Sequence, residues 1–362
     1  MSAVRFEDFE HVKYVGEGAF GLVSVATKLN GNDANQTYAL KMLQKKKLAS
    51  NHNNLKNLYG EIKALKQVNG QYAPKLAYTF QNEHVVCLVM DYVEGCDLYT
   101  YMQKVGKLTM KLTKFFSAQL ILALDYLNEE YICLRDLKPE NIMVAPDGYL
   151  KLIDFGFAKR DVKNYLQKMH SFVGTTLYMA PECFNREVGY SRLVDWWALG
   201  AIIYEMYFGM VPFDDEDNDE LIRKICEEEP YYPPKVNQNI EAIMVCLLMK
   251  DVHNRLGSTG LQEFKEYEFY AKFDFDALRE KKLKAPFSKP FPKFGGLKEE
   301  EIVGWNFEGK KGIKDFKNFD YTAPELIKEK KKGRKRVIEE EEKENLPAKR
   351  VRKPKNLSLE GF

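Results

Sequence analysis

Three side chains that carry oxygen ligands stand close together in the chain: Asp136 and Asn141 in the segment LRDLKPEN, and Asp154 in DFG. The carboxylate of Asp136 could act as a base toward a hydroxyl group, and Asn141 and Asp154 offer the oxygen ligands that Mg²⁺ prefers. Lys138 could neutralise charge on a transferred phosphoryl group. A loop that is merely rich in charges would not explain this ordered series, and the spacing therefore predicts metal-assisted phosphoryl transfer.

A glycine-rich segment, G-x-G-x-x-G at Gly16, Gly18 and Gly21, is a candidate cover for phosphates. Glycines allow a hairpin to approach phosphate oxygens closely enough for backbone N–H groups to bind them. Taken alone, the motif fits a hairpin without any ligand equally well. A dinucleotide-binding fold would need a helix after the third glycine, whereas LVSVAT at 22–27 is typical of a strand.

Lys41 ends the apolar segment 38–41, which is typical of a strand. Glu61, in the helical stretch 58–68, is a candidate partner, and an ion pair between strand and helix would hold the ammonium against nucleotide phosphates. An ordinary outward-pointing lysine is the alternative for this residue taken alone.

Two kinds of structure must position these residues. The first hundred residues are typical of strands with one helix, and helical periodicity begins after Gly95. Strands are predicted within 12–27, 37–43 and 85–93, and helices at 58–68, 113–127 and 193–208. The helix at 193–208 is apolar on nearly all sides, which indicates burial in a large domain. The sequence predicts an α+β architecture: a β-rich small lobe, a hinge near 91–97 and a helical large lobe.

Composition excludes several protein classes. Hydrophobic residues make up 45% and aromatic residues 13% of the 362 residues, which excludes a mostly disordered chain. The six cysteines are scattered without a C-x-x-C pair, so neither a disulfide framework nor a zinc site is expected. The first residues carry charges where a signal peptide is apolar, and no apolar run is long enough to span a membrane. We expect a cytoplasmic or nuclear protein that does not bind membranes.

The ordered motifs resemble those of the eukaryotic protein kinases. APE at 180–182 follows DFG, and DFGFAKR at 154–160 with VDWWALGAIIYEM at 194–206 narrows the resemblance to the AGC group. Within that group the chain is most similar to the cyclic-nucleotide-dependent kinases, especially the cAMP-dependent catalytic subunit. The resemblance implies a bilobal protein kinase fold and a Ser/Thr protein kinase that uses ATP and Mg²⁺.

The resemblance also divides the chain. It implies an N-terminal extension at 1–8, a catalytic domain at 9–270 and an AGC-type C-terminal extension at 271–325 that contains APF. Residues 326–362 form a tail whose blocks of like charge predict disorder. From Glu325 onward the chain has 13 Lys and Arg against 8 Asp and Glu, so the tail is basic and the body slightly acidic.

The resemblance also implies functional roles for the residues of this chain that match the kinase motifs. The catalytic residues would be Lys41, Glu61, Asp136, Lys138, Asn141 and Asp154, the last two of which are the metal ligands. ATP would be bound by Val15, Gly16, Glu17, Gly18, Ala19, Phe20, Gly21, Leu22, Val23, Ala39, Lys41, Met90, Asp91, Val93, Asp97 and Met143. An apolar spine tied to Asp195 would comprise Leu65, Leu76, Leu134 and Phe155. In the large lobe, Glu182 would pair with Arg255.

Some positions depart from the family pattern. Leu134 replaces the usual His or Tyr before Arg-Asp, and as an apolar spine residue it should preserve packing. Thr176 and Leu177 stand where Pro and Glu are usual, and Asn57 replaces a histidine that helps to hold the activation phosphate. These changes concern specificity and activation rather than chemistry.

Substrate recognition and control follow from the resemblance in the same way. Glu140 and Glu205 match positions that hold arginine upstream of the target serine, with Asp97 as a third carboxylate. Ser171 aligns with the activation-loop phosphosite, and Arg135 and Lys159 match its cationic partners. The segment FKNFDY at 316–321 resembles the hydrophobic motif of AGC extensions, which would fill a pocket beside the helix bearing Glu61; packing elsewhere on the small lobe is the alternative.

Control would come from outside the chain, through a separate cyclic-nucleotide-binding regulatory subunit, because 1–15 and 271–362 are too short to form such a domain. A constitutively active relative without that partner is the alternative. The basic clusters at 328–336 and 347–353, separated by acidic residues, could bind a nuclear import receptor, or the tail could simply solubilise the protein.

Two other functions compete with a kinase. A pseudokinase would lack one of Lys41, Asp136, Asn141 and Asp154, and all four are present. A nucleic-acid-binding protein could use the basic tail, but without sequence discrimination, and the acidic body offers no basic face.

Overall fold

The computed structural model describes residues 4–17, 21–163, 167–293 and 311–327. The strands of the described chain are β1 Phe9–Glu17, β2 Gly21–Lys28, β3 Thr37–Gln44, β4 Leu76–Gln81, β5 Val85–Asp91, β6 Cys96–Asp97, β7 Ile142–Val144, β8 Leu150–Leu152 and β9 Tyr321–Thr322. Its α-helices are α1 Lys45–Ala49, α2 His52–Gln67, α3 Leu98–Val105, α4 Met110–Glu129, α5 Val194–Phe208, α6 Asn218–Glu227, α7 Gln238–Leu247, α8 Leu261–Lys265 and α9 Phe275–Arg279.

The small lobe is an antiparallel sheet of six strands in the order β1-β2-β3-β5-β4-β9. The glycine-rich segment contributes the end of β1 and the start of β2, with Gly16 opposite Val23 and Glu17 opposite Leu22. Gly18, Ala19 and Phe20 lie outside the described residues. The strand predicted over 85–93 ends at Asp91, and the predicted small lobe and sheet are confirmed.

The prediction of one helix in the small lobe was wrong, because α1 and α2 are separate helices. α2 begins six residues before the predicted start, and the side chain of Asn51 caps it by accepting a hydrogen bond from the backbone N–H of Asn53. Its first turn, HNNLKN, is mostly polar, so apolar periodicity does not reveal it. The buried side of the helix carries Glu61 into the lobe interior.

The large lobe is built around α4 and α5. α5 lies within its predicted segment, and α4 contains its predicted segment and extends three residues before it and two after it. Thr109 caps α4 by accepting from the backbone N–H of Leu112. All residues of α5 from Val194 to Met206 are buried, which explains its apolar character on all sides. The helix stops at Gly209, whose φ of +80° suits glycine. Among the described residues, none of the helices is both long enough and apolar enough to cross a membrane.

The C-terminal extension touches both lobes. Gly148 of the large lobe has a φ of +82° and lies so close to Ala285 that a side chain on Gly148 would collide with it. The APF segment that begins at Ala285 therefore packs directly on the large lobe. Farther along, β9 pairs with β4 through Tyr321 and Thr79 and completes the small-lobe sheet. Only the first two residues of the tail predicted for 326–362 lie within the described chain.

Candidate active site

The floor of the cleft holds a lysine between two carboxylates. The Lys41 Nζ atom on β3 lies 2.6 Å from Oε1 of Glu61 on α2 and 3.3 Å from Oδ1 of Asp154. Burial alone would lower the pKa of Lys41, but the two carboxylates outweigh it and raise the pKa above its usual value. The Lys41 ammonium in turn holds the pKa of Asp154 below its usual range. Burial raises the pKa of Glu61, and the Lys41 ammonium opposes that shift. The ion pair predicted between strand and helix is present.

A network of hydrogen bonds joins Thr175 and three residues of the catalytic loop, the segment LRDLKPEN at 134–141. Oδ1 of Asp136 accepts a hydrogen bond of 2.9 Å from the Thr175 hydroxyl, which itself accepts one of 2.8 Å from Nζ of Lys138. Nδ2 of Asn141 donates to the backbone carbonyl of Asp136 at 2.9 Å. Because Nδ2 is committed to this bond, the amide oxygen of Asn141 is the atom that can serve a cation.

Asp195, buried on α5, fixes the start of this loop. Its carboxylate accepts the backbone N–H groups of Leu134 and Arg135 at 2.7 and 2.8 Å. These bonds hold Arg135 at a φ of +68°, an uncommon conformation for a residue other than glycine. Leu134 is buried at the same place. The expected link between Asp195 and the apolar spine is therefore present.

The remaining spine and large-lobe contacts also lie where the sequence placed them. Leu65, Leu76 and Phe155 are buried in the same core as Leu134. Glu182 and Arg255 form a bidentate ion pair, with oxygen–nitrogen distances of 2.6 and 2.8 Å, and the Arg255 side chain is fully buried. A buried pair of this kind holds the activation segment to the large lobe, because breaking it would leave an uncompensated charge.

The residues assigned to ATP lie on both sheets. Ala39 on β3 is paired with Met90 on β5, and Met143 on β7 is paired with Asp97 on β6. Val23 on β2 stands opposite Lys41. Val15, Glu17 and Leu22 lie on the hairpin strands, and Asp91 and Val93 lie at and just beyond the end of β5.

A cavity of about 280 Å³ opens beside the lysine, between the glycine hairpin, α2 and the DFG segment. Gly21, Lys41, Glu61 and Asp154 line it together with Asn57. The cavity thus brings the hairpin and the charged floor residues to one space, which is what a site for a nucleotide's phosphates requires.

The acidic residues assigned to the substrate differ in their surroundings. Oε2 of Glu205 accepts a hydrogen bond of 2.8 Å from the Tyr178 hydroxyl, and only 9% of Glu205 is exposed. Burial raises the pKa of Glu205, and the charge of Glu140 adds to the effect. Asp97 caps α3, where its two oxygens accept from the backbone N–H and the hydroxyl of Thr100.

Ser171 is exposed on the activation segment, and Tyr190 connects it to the catalytic loop. The Tyr190 hydroxyl donates to the backbone carbonyl of Ser171 at 2.7 Å and accepts from Nη1 of Arg135 at 3.3 Å. Nε of Arg135 donates to the carbonyl of Phe157, just after DFG. Lys159, the other predicted partner of a phosphate, is exposed nearby in sequence. Tyr190 therefore connects the backbone of Ser171 to the Arg135 side chain.

The sequence analysis did not predict three residues that contact the site: Thr175, Tyr178 and Tyr190. Each lies in or just after the activation segment, where neither strand nor helix periodicity places a side chain. The signal that could have found two of them is their position before APE, since Thr175 and Tyr178 stand five and two residues ahead of Ala180.

The hydrophobic motif lies against the helix that bears Glu61, as the sequence predicts. Phe319 is buried, and its ring centre is 6.4 Å from that of Tyr59 on α2. Gln81 at the end of β4 exchanges two hydrogen bonds of 2.8 and 2.9 Å with the backbone of Phe316. The extension therefore packs against α2 at Tyr59.

Known proteins resemble this chain over its catalytic part. A protein-family model described as "Protein kinase domain" matches residues 9–269. Ribosomal protein S6 kinase alpha-6 of Homo sapiens is 38% identical over 279 residues, which cover 77% of this chain and 37% of that protein. The protein of the same name from Danio rerio is 35% identical over 336 residues, covering 89% of this chain and 45% of the relative.

A putative ribosomal protein S6 kinase alpha-1 of Caenorhabditis elegans is 36% identical over 281 residues, covering 77% of this chain and 35% of its own length. The chain spans less than half the length of these relatives. The two-lobed fold, the paired lysine and the ordered loops agree with the family model that covers most of the chain: it belongs to the protein kinase family.

Proposed function

We propose that the chain is a Ser/Thr protein kinase of the AGC group that transfers the γ-phosphoryl group of ATP to proteins. The observation that carries the proposal is the joint arrangement of Lys41 between Glu61 and Asp154 with Asp136 held in the adjoining loop. A pseudokinase would not need all four groups in these contacts. The similarity to S6 kinases supports the AGC assignment.

The donor set fits Mg²⁺. Asp154 stays ionised because Lys41 lowers its pKa, and Asn141 has its amide oxygen available, so the pair offers the hard oxygen ligands that this ion requires. Bound there, the ion would neutralise charge on the phosphates. Lys41 binds phosphate oxygens, and Glu61 keeps its ammonium in place.

Asp136 orients the substrate hydroxyl and accepts its proton as the oxygen attacks the γ-phosphorus and the bond to the β-phosphate oxygen breaks. Lys138, 3.5 Å from Oδ2 of Asp136, stabilises the negative charge on the transferred group. Catalysis then depends on positioning and electrostatics rather than on a covalent enzyme intermediate.

Substrates would be serine or threonine side chains with arginine upstream. Lys138, two residues after the base, is typical of the Ser/Thr subfamilies. Glu205 and Glu140 act on each other electrostatically, which supports a common acidic subsite for a guanidinium group. Both carboxylate oxygens of Asp97 already accept hydrogen bonds from Thr100 at the start of α3. Asp97 therefore contributes less to arginine binding than Glu205 and Glu140 do.

The test is phosphate transfer from radiolabelled ATP to an arginine-containing peptide, comparing the whole chain with Asp136→Asn. Loss of about a thousandfold or more in kcat, with ATP binding retained, would support the assignment. A matched variant, Asp147→Asn, changes an exposed turn carboxylate and should retain activity. Equal rates for the Asp136→Asn variant and the unaltered chain would overturn it.

A further proposal concerns control of the kinase. Inhibition by a separate cyclic-nucleotide-binding subunit rests only on the resemblance of the sequence to cAMP-dependent kinases, and activity in lysate that responds to cyclic nucleotide would support it.

A last proposal concerns the location of the protein in the cell. Nuclear import through the basic clusters at 328–336 and 347–353 concerns residues outside the described chain. A fluorescent fusion of 325–362 that stays evenly distributed would exclude import.

A further inference from the structure

A second cleft, of about 330 Å³, lies on the large lobe between the first turns of α4 and the residues on either side of α9. Phe115, Phe273, Leu283 and Pro286 supply apolar walls. Phe115 is only 3% exposed and lies at depth, whereas Met110 is exposed at the edge. A recess with this shape suits one bulky apolar side chain rather than a flat contact.

Three lysines, Lys111, Lys114 and Lys284, share the lining of this cleft. None of the described residues that line it is acidic. Lys114 lies over the Phe269 ring at 4.7 Å from its centre, and partial burial lowers its pKa, with the Glu268 carboxylate opposing that shift. An anion bound at the rim would favour the charged form of Lys114.

Positive charge extends along the two chain segments that supply the lysines of the cleft. Residues 104–114 contain four lysines and residues 281–293 contain five, and neither segment contains an acidic residue. The two segments meet where Nζ of Lys104 donates to the backbone carbonyl of Lys293 at 3.0 Å, and just before the first segment the Tyr101 ring stacks on that of Phe291 at 5.7 Å. Both chain segments that contribute lysines to the cleft are therefore basic along their length.

We propose that this cleft binds an acidic peptide segment of a protein partner, with one bulky apolar side chain in the recess and flanking carboxylates on the lysines. Charge complementarity selects an acidic ligand. A bilayer would require several apolar side chains that protrude, and of the apolar side chains that line the cleft only Met110 is exposed. Single-stranded nucleic acid would require exposed aromatic faces for stacking, and the Phe115 ring is covered.

The experiment measures fluorescence anisotropy of a labelled peptide, Glu-Glu-Asp-Glu-Phe-Glu-Glu-Asp-Glu, with the whole chain and without nucleotide. Lys111→Gln combined with Lys284→Gln should weaken binding about five- to tenfold, because two exposed charge pairs are lost. Lys46→Gln combined with Lys63→Gln removes the same charge from exposed positions on the small lobe and should leave the affinity unchanged. A peptide with Gln in place of Phe should bind about tenfold more weakly.

Several results would overturn the proposal. Equal weakening by the two double variants, or equal affinity of the Phe and Gln peptides, would show nonspecific attraction of charges. Tighter binding of phosphatidylserine vesicles or of oligouridylate than of the peptide, with the same dependence on Lys111 and Lys284, would identify a different class of partner. Thermal denaturation checks that the variants fold, and the single Lys284→Gln change replaces the double variant if that one unfolds.

Discussion

The Lys45 ammonium lies 2.8 Å from a carboxylate oxygen of Asp315, 270 positions later in the chain. The Lys45 side chain is fully buried, whereas that of Asp315 is 72% exposed. The ring of Phe316 lies 5.4 Å from the same ammonium. The C-terminal segment therefore covers a charge of the small lobe and supplies its counterion.

Replacing Asp315 with Asn should loosen this contact. The buried Lys45 ammonium would lose its counterion, and the exposed position of Asp315 limits the expected cost to about 1–3 kcal/mol in the free energy of unfolding. Denaturant unfolding of the whole chain measures it. Glu325→Gln removes an exposed carboxylate from the same segment and is the control; equal effects of the two changes would contradict a specific role for Asp315.

Removing both phenylalanines of the hydrophobic motif should lower stability and kcat together. Phe319 is 2% exposed and Phe316 is half-buried, so their truncation to Ala costs about 3–5 kcal/mol for Phe319 and less for Phe316. kcat falls because Tyr59, on the helix that bears Glu61, loses its packing partner. Lys317→Ala, an exposed position between them, is the matched control. If the double variant keeps the rate and stability of the unaltered chain, the extension does not support α2.

The two lobes and the pairing of Lys41 with Glu61 could be predicted because short contiguous motifs encode them. Thr175 could not be paired with Asp136, since 39 positions separate them and no periodic element leads to the contact. Lys45 stands in a run of three lysines, which is typical of an exposed surface, and only the docked extension makes it buried. The contacts of Thr175 and Lys45 were missed because only tertiary packing brings their partners to them.

Phosphorylation of Ser171 should raise kcat. A phosphate on this exposed serine would add charge-assisted hydrogen bonds near Arg135, which already connects through Tyr190 to the carbonyl of Ser171. Ser171→Ala, and phosphatase treatment of the unaltered chain, should each lower kcat by about tenfold or more. Mass spectrometry establishes occupancy. Unchanged kinetics in a preparation shown to be phosphorylated at Ser171 would refute this role.

Binding of an arginine peptide should weaken as the pH falls. Burial raises the pKa of Glu205, so its carboxylate takes up a proton at a higher pH than an exposed glutamate and then no longer attracts a guanidinium group. We expect KM for the arginine peptide to rise between pH 7 and pH 5. Glu205→Gln should raise KM about tenfold at pH 7 and flatten the dependence. A peptide with alanine in place of the upstream arginine is the control, and an equal rise of its KM would exclude Glu205 as the cause.

Thr175 should act as a positioning residue for the catalytic base. Its hydroxyl donates to Asp136 and accepts from Lys138, so it fixes the distance between the base and the cation. Thr175→Ala would release both side chains, and a displacement of about 1 Å in such a site can cost about a hundredfold in rate. We therefore expect kcat to fall by about ten- to a hundredfold.

The conservative variant separates positioning from folding. Thr175→Ser keeps the hydroxyl and should restore most of kcat, whereas KM for ATP should stay unchanged in both variants because Lys41 and Glu61 hold the nucleotide side of the cleft. Steady-state kinetics with both substrates varied measures these values. If Ser and Ala at this position lower kcat equally, the hydroxyl is not what aligns Asp136, and the methyl group's packing must be responsible.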